Sequence, residues 1–119
     1  MGYILDTCVL LWTLNGDLSK LKLFKEKIMN TNNVIMVSMA SYWEIAIKKH
    51  LGRIEIQGDI FEAVKESGFH WLNINHRHID FLSQLPDHHH DPFDRLIIAQ
   101  AKNENLEILT TDGKIKLYF

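Results

Sequence analysis

The chain has 119 residues, 46% apolar and 24% charged, with a formal net charge of −2. That is one domain's worth of chain with apolar material for a real core, and its near-neutral balance does not mark it as a nucleic-acid binder by bulk electrostatics. A lone cysteine, Cys8, excludes an internal disulfide framework and the usual Cys-based zinc sites.

No apolar run reaches the roughly 18 residues of a membrane span. Met1 to Leu14 has no basic start and carries Asp6 inside the apolar stretch, unlike a secretory leader. The expectation is a single domain over residues 1–119, cytoplasmic and off the membrane.

In chain order, Tyr3-Ile4-Leu5 reads as a short strand. Thr7 to Leu14 then reads as a helix close to the core, ending near Asn15-Gly16. Leu18, Leu21, Phe24 and Ile28 recur at helical spacing with lysines on the other face. After a turn at Asn30 to Asn33, Val34-Ile35-Met36-Val37 suits a strand buried on both faces.

Ser38 begins a helix that runs to about Leu51 and stops at Gly52. Ile60, Phe61 and Val64 mark a short helix closed by Gly68. Trp71 to Ile74 is a further strand, and His78 to Leu85 a helix ending before Pro86. Asp91 to Asn103 is a helix with Pro92 at its first position. Glu107 to Thr110 is a strand, and Ile115 to Phe119 reads as a short edge strand. Strands alternating with helices predict an α/β domain with a mostly parallel sheet of four to five strands.

Asp6, Glu44, Asp94 and Asp112 fall at strand ends or in first helical turns, the places that face one crevice in an open parallel sheet. Each also has a local explanation. Asp6 suits a helix N-cap. Ser41-Tyr42-Trp43-Glu44 matches a capping box, and Glu44 with Lys48 makes an i,i+4 pair. Asp91-Pro92-Phe93-Asp94 reads as an N-cap, proline and an acid near the positive helix end. Asp112 suits a turn before Gly113. Surface acids would scatter over both sheet edges, as Glu26, Glu55, Glu62, Glu66 and Glu104 do. Four carboxylates on one edge need a cation between them, and hard oxygen donors suit Mg²⁺ or Mn²⁺. Of the four, Glu44 is expected to stand furthest from a metal.

Other polar residues carry less. His88-His89-His90 reads as loop rather than a zinc site, since adjacent histidines do not readily all point at one metal. Cys8 reads as a small buried residue. Arg95, beside Asp94, is the charge expected to work within the cleft, on a phosphate or as an acid's partner. Lys48, with Lys49, His50 and Arg53, forms a cluster able to track a phosphate backbone.

Ile4-Leu5-Asp6-Thr7, Ser38 through Trp43-Glu44-Ile45-Ala46-Ile47-Lys48, His90-Asp91-Pro92-Phe93-Asp94-Arg95 and Thr110-Thr111-Asp112 together resemble the PIN-domain nucleases, above all the VapC-type toxins of bacterial toxin–antitoxin pairs. The resemblance implies a three-layer α/β/α fold and Mg²⁺- or Mn²⁺-dependent cleavage of RNA, tRNA among the candidates. It makes Asp6, Glu44, Asp94 and Asp112 the metal-binding set. It gives Thr110 a supporting role, orienting a carboxylate or a bound water. A cognate antitoxin and a homodimer are the implied partners. Cys8 stands where relatives often have His or Asn, and the chain stops at Phe119, short of the usual final strand. A non-catalytic interaction module of the same fold, or another metal-dependent phosphoesterase, are the competing readings.

Overall fold

The computed structural model describes residues Met1–Phe119. Its centre is strand β1 (Gly2–Leu5), where Ile4 and Leu5 are fully buried. Helix α1 (Thr7–Leu14) follows at once, then α2 (Lys25–Met29), β2 (Val34–Ser38), α3 (Met39–His50), α4 (Ile60–Glu66), β3 (His70–Leu72), α5 (His76–Phe81), a 3₁₀ turn (Leu82–Gln84), α6 (Pro92–Asn103), β4 (Glu107–Leu109) and α7 (Gly113–Lys116).

The four strands form one sheet in the order β3-β2-β1-β4, every pair parallel. The chain walks outward from β1 through β2 to β3, then returns to place β4 on the other side of β1. That reversal makes the β1–β4 boundary a topological switch point, where a crevice opens beyond the carboxyl ends of the strands.

Alternation along the strands sends side chains into two separate cores. Tyr3, Leu5, Ile35, Val37 and Leu109 pack with Val9 and Leu10 of α1, Ile45 of α3 and Val64 of α4. On the other face Ile4, with Met36 and Ile108, meets Leu96, Ile97 and Ala101 of α6. Helices therefore cover both faces, giving the expected three layers. Full burial of a side chain such as Leu5 or Ile97 contributes about 1.5–3 kcal/mol before the entropy of ordering is subtracted.

Register brings the functional ends level. Leu5 pairs with both Val37 and Leu109, so the residues that follow, Asp6, Ser38 and Thr110, leave the sheet along one edge. The Asp6 amide extends the ladder by donating to the Leu109 carbonyl at 3.2 Å.

Several sequence expectations are corrected. Ile115 to Phe119 is no edge strand: Gly113–Lys116 forms α7, because Asp112 caps it by accepting from the Lys114 and Ile115 amides. Ile115 and Tyr118, one turn apart, then bury together against Ile98 and Ala99 of α6. The helical spacing of Leu18 to Ile28 yields helix only over Lys25–Met29. Ahead of it Asp17 binds the Ser19 hydroxyl and the Lys20 amide, a local turn that competes with helix. The third strand is shorter than expected, His70–Leu72, and the helix expected from His78 begins at His76, capped by Asn75 with His78 in a reciprocal box.

Candidate metal centre

Asp6 is the N-cap of α1. One carboxylate oxygen accepts from the Val9 amide at 2.8 Å, and the other accepts from the Thr110 hydroxyl. Thr110 Oγ1 also accepts from the Asp112 amide at 3.0 Å, which ties the β4–α7 turn to β1. Both Asp6 and Thr110 are buried. Burial is the main force raising the Asp6 carboxyl above its usual range. Thr110 and Val9 oppose it, while the nearby charges of Asp112 and Glu44 add to it.

Glu44 lies inside α3 rather than at its start. The helix begins at the strand end, where Ser38 caps it by accepting from the Ala40 amide, so the Ser41–Glu44 capping box is not formed. Ser41 and Glu44 are instead buried and turned toward α1. Glu44 accepts from Thr7 Oγ1 at 2.8 Å, and Thr7 shares a 2.9 Å bond with Ser41. Its other oxygen meets Lys48 Nζ at 2.9 Å. The carboxylate thus has a hydroxyl on one oxygen and an ammonium on the other, and that contact raises the Lys48 pKa.

Asp94 comes from the first turn of α6, which Asp91 caps by accepting from the Phe93 and Asp94 amides. Burial first, then the Asp91 and Glu44 charges, raise the Asp94 carboxyl to about 6, against the lowering effect of His89. His89 Nε2 lies 2.7 Å from Asp94 Oδ2 and 3.9 Å from Asp112 Oδ2. One donor atom from each of His89, Asp94 and Asp112 falls within 4.8 Å of the others. Asp6 and Glu44 stand outside that triplet but act on it through their charge.

His89 lies in the loop before α6, as expected for the histidine run, but its ring turns into the acidic cluster, which the sequence did not reveal. Only its place five residues before Asp94 in the histidine run hinted at the site. The other two histidines turn elsewhere: the His88 ring packs edge-on to Tyr118 at 5.1 Å, and His90 is exposed. Thr7 and Ser41 were also missed, although Thr7 directly follows Asp6.

Arg95 lies beside Asp94 in sequence, but its guanidinium is committed to the loop before α6. Nη1 donates to the Pro86 and His89 carbonyls and to the Tyr118 hydroxyl, and Nη2 to the Leu82 carbonyl. Lys48 is the cation at the acidic cleft, partly exposed beside Glu44. At the rim, Trp43 of α3 meets Phe93 of α6 edge-to-face at 4.9 Å.

Cys8 is exposed rather than buried. Its thiol still lies against enough protein that desolvation, then the Asp6 charge, push its pKa up, so it rests as a thiol and not a nucleophile.

The donor set suits a hard divalent cation. The Asp6 and Asp94 carboxyls resist ionisation because they are buried and lie near other acids, and an added positive charge would offset that cost. Asp94 and Asp112 each keep an oxygen without a protein donor, while the oxygens of Asp6 and Glu44 are engaged.

Residues 3–118 match the family model described as PIN domain. No curated protein matches the sequence. Among solved structures, the chain superposes on one chain of a crystal structure of VapBC2 from Rickettsia felis bound to a DNA fragment from their promoter. The TM-score is 0.68 at 18% identity, over 99% of this chain and 93% of that one. At that identity the likeness speaks for the fold.

Proposed function

This chain belongs to the PIN-domain family, and on that premise we propose that it is an endoribonuclease that hydrolyses RNA phosphodiester bonds with Mg²⁺ or Mn²⁺. The observation that supports the reading is the acidic cluster itself: Asp94 and Asp112 lie together with His89, Asp6 and Glu44 are near enough for their charges to act, and the Asp94 carboxyl is held at about 6. Asp94 and Asp112 are the groups that would hold the ion. When bound, it supplies positive charge against the phosphodiester anion and lowers the pKa of water.

The chain's own residues account for the rest. Asp6, fixed by Thr110 and Val9, adds negative charge to the floor of the cleft without room to swing. Glu44 holds Lys48 at the rim, where the ammonium is placed to meet a substrate phosphate. Arg95 acts by positioning: it clamps the loop that carries His89.

The biological setting belongs to the same proposal. The chain acts in the cytoplasm as the toxin of a toxin–antitoxin pair, forms a homodimer, and is inhibited by a cognate antitoxin. Its target is a structured RNA of the tRNA kind. The VapBC2 likeness supports an antitoxin partner, and no helix is long and apolar enough to cross a membrane.

The test is cleavage of tRNA and total cellular RNA with Mg²⁺, Mn²⁺ or EDTA, by the wild type and by Asp6→Asn and Asp94→Asn. The proposal expects metal-dependent cuts that both variants lose. Folded variants that cut as fast as the wild type would sink it.

A further inference from the structure

Three side chains meet at the mouth of the cleft, and only two are acids. His89 Nε2 faces Asp94 Oδ2 at 2.7 Å and Asp112 Oδ2 at 3.9 Å. Ligands about 2.1 Å from a six-coordinate ion lie about 3.0 Å apart when adjacent and about 4.2 Å apart when opposite. Both separations fall slightly short of those values, so a small outward shift would seat an ion among the three atoms.

The imidazole is not there by chance of a floppy loop. The His89 amide donates to the Tyr118 hydroxyl at 2.9 Å, and its carbonyl accepts from Arg95 Nη1 at 3.2 Å. Tyr118 and Arg95 also bond each other at 3.1 Å. The backbone of His89 is thus pinned from both sides, and its side chain, 12% exposed, is packed toward the carboxylates.

We propose that His89 is a direct ligand of the cation held by Asp94 and Asp112, and that this nitrogen donor tunes the centre toward Mn²⁺ over Mg²⁺. An imidazole suits transition metals, whereas Mg²⁺ prefers oxygen donors and retains its waters. Nε2 is hydrogen-bonded to Asp94. A bound ion would replace that hydrogen bond, and His89 would offer Nε2 to it as the neutral ring with its proton on Nδ1. The inference rests on reading the cleft as a metal centre and deepens it by naming the ion and its third ligand.

The test reads the metal directly, without turnover. Mn²⁺ is added to the full chain, and electron spin echo modulation is recorded for the wild type, His89→Gln and, as a neighbouring control, His88→Gln. Mn²⁺ and Mg²⁺ affinities are measured by calorimetry, and folding is checked by circular dichroism. The expected result is ¹⁴N modulation in the wild type and in His88→Gln, absent in His89→Gln. Replacing the nitrogen with an amide oxygen should lower the Mn²⁺ to Mg²⁺ affinity ratio by about tenfold or more. Bound Mn²⁺ with no ¹⁴N signal in the wild type, or an unchanged affinity ratio in folded His89→Gln, overturns the inference while leaving the nuclease reading intact. A folded wild type that binds neither cation overturns both.

Discussion

The Thr110 hydroxyl donates to Asp6 Oδ2 across the boundary between β4 and β1. Two residues 104 positions apart thereby lock the floor of the cleft. Thr110→Val keeps the shape and removes the donor. The Asp6 carboxyl should then titrate still higher, because the bond that lowers it is gone. A buried acceptor losing its donor costs about 1–3 kcal/mol, to be read by urea denaturation at neutral pH. Unchanged stability would show that the carboxylate finds another donor.

Asp94 should give the protein a pH signature when divalent cations are chelated. Its carboxyl titrates at about 6 in the fold against 3.8 for the free group, so the folded state binds more protons between those values. The stabilisation is fully present below 3.8 and is lost as pH rises through about 6. In EDTA the melting temperature should therefore fall between pH 5 and pH 7.5, and Asp94→Asn should flatten that fall. Mn²⁺ at millimolar concentration should raise the melting temperature more at pH 7.5 than at pH 5. Equal slopes for wild type and variant would argue against the shift.

Lys48 is the cation offered at the rim. Lys48→Met should weaken RNA binding at low salt and reduce the slope of log affinity against log salt by somewhat less than one, as one phosphate contact predicts for a single strand. The measurement is made in an Asp94→Asn background with EDTA, so that no RNA is cut. A slope that stays put would return Lys48 to a purely internal role beside Glu44.

Arg95→Met tests the clamp. It leaves the Leu82, Pro86 and His89 carbonyls without their shared donor, and should lower stability by about 1–3 kcal/mol. Amide exchange should speed up in the loop from Leu82 to His90. Lysine should rescue little, because a single ammonium cannot reproduce the guanidinium fork. Loss of RNA binding with neither effect would instead favour the phosphate contact expected from sequence.

The strands and helices were largely legible, because buried parallel strands read as apolar runs and Asp91-Pro92 is a strong helix start. Misreadings arose where two local patterns competed. Ile115, Leu117 and Phe119 alternate like a strand, yet the cap at Asp112 and the burial of Ile115 with Tyr118 choose a helical turn. Ser41 and Glu44 have capping-box spacing, but Ser38 had already started the helix. His89 was legible as loop but not as part of the cluster, since its neighbours in the cleft come from α6 and from the far end of the chain.

Ser38 is both the last residue of β2 and the cap of α3, and Asp6 joins β1 to α1 in the same way. Neither junction has spare chain. The walls bearing Asp6 and Glu44 therefore behave as an anvil cast in one piece with the sheet. The wall bearing His89 instead hangs from a connecting segment, held by Arg95 and Tyr118. The geometry of that wall therefore depends on two side chains, Arg95 and Tyr118, that lie outside the cleft itself.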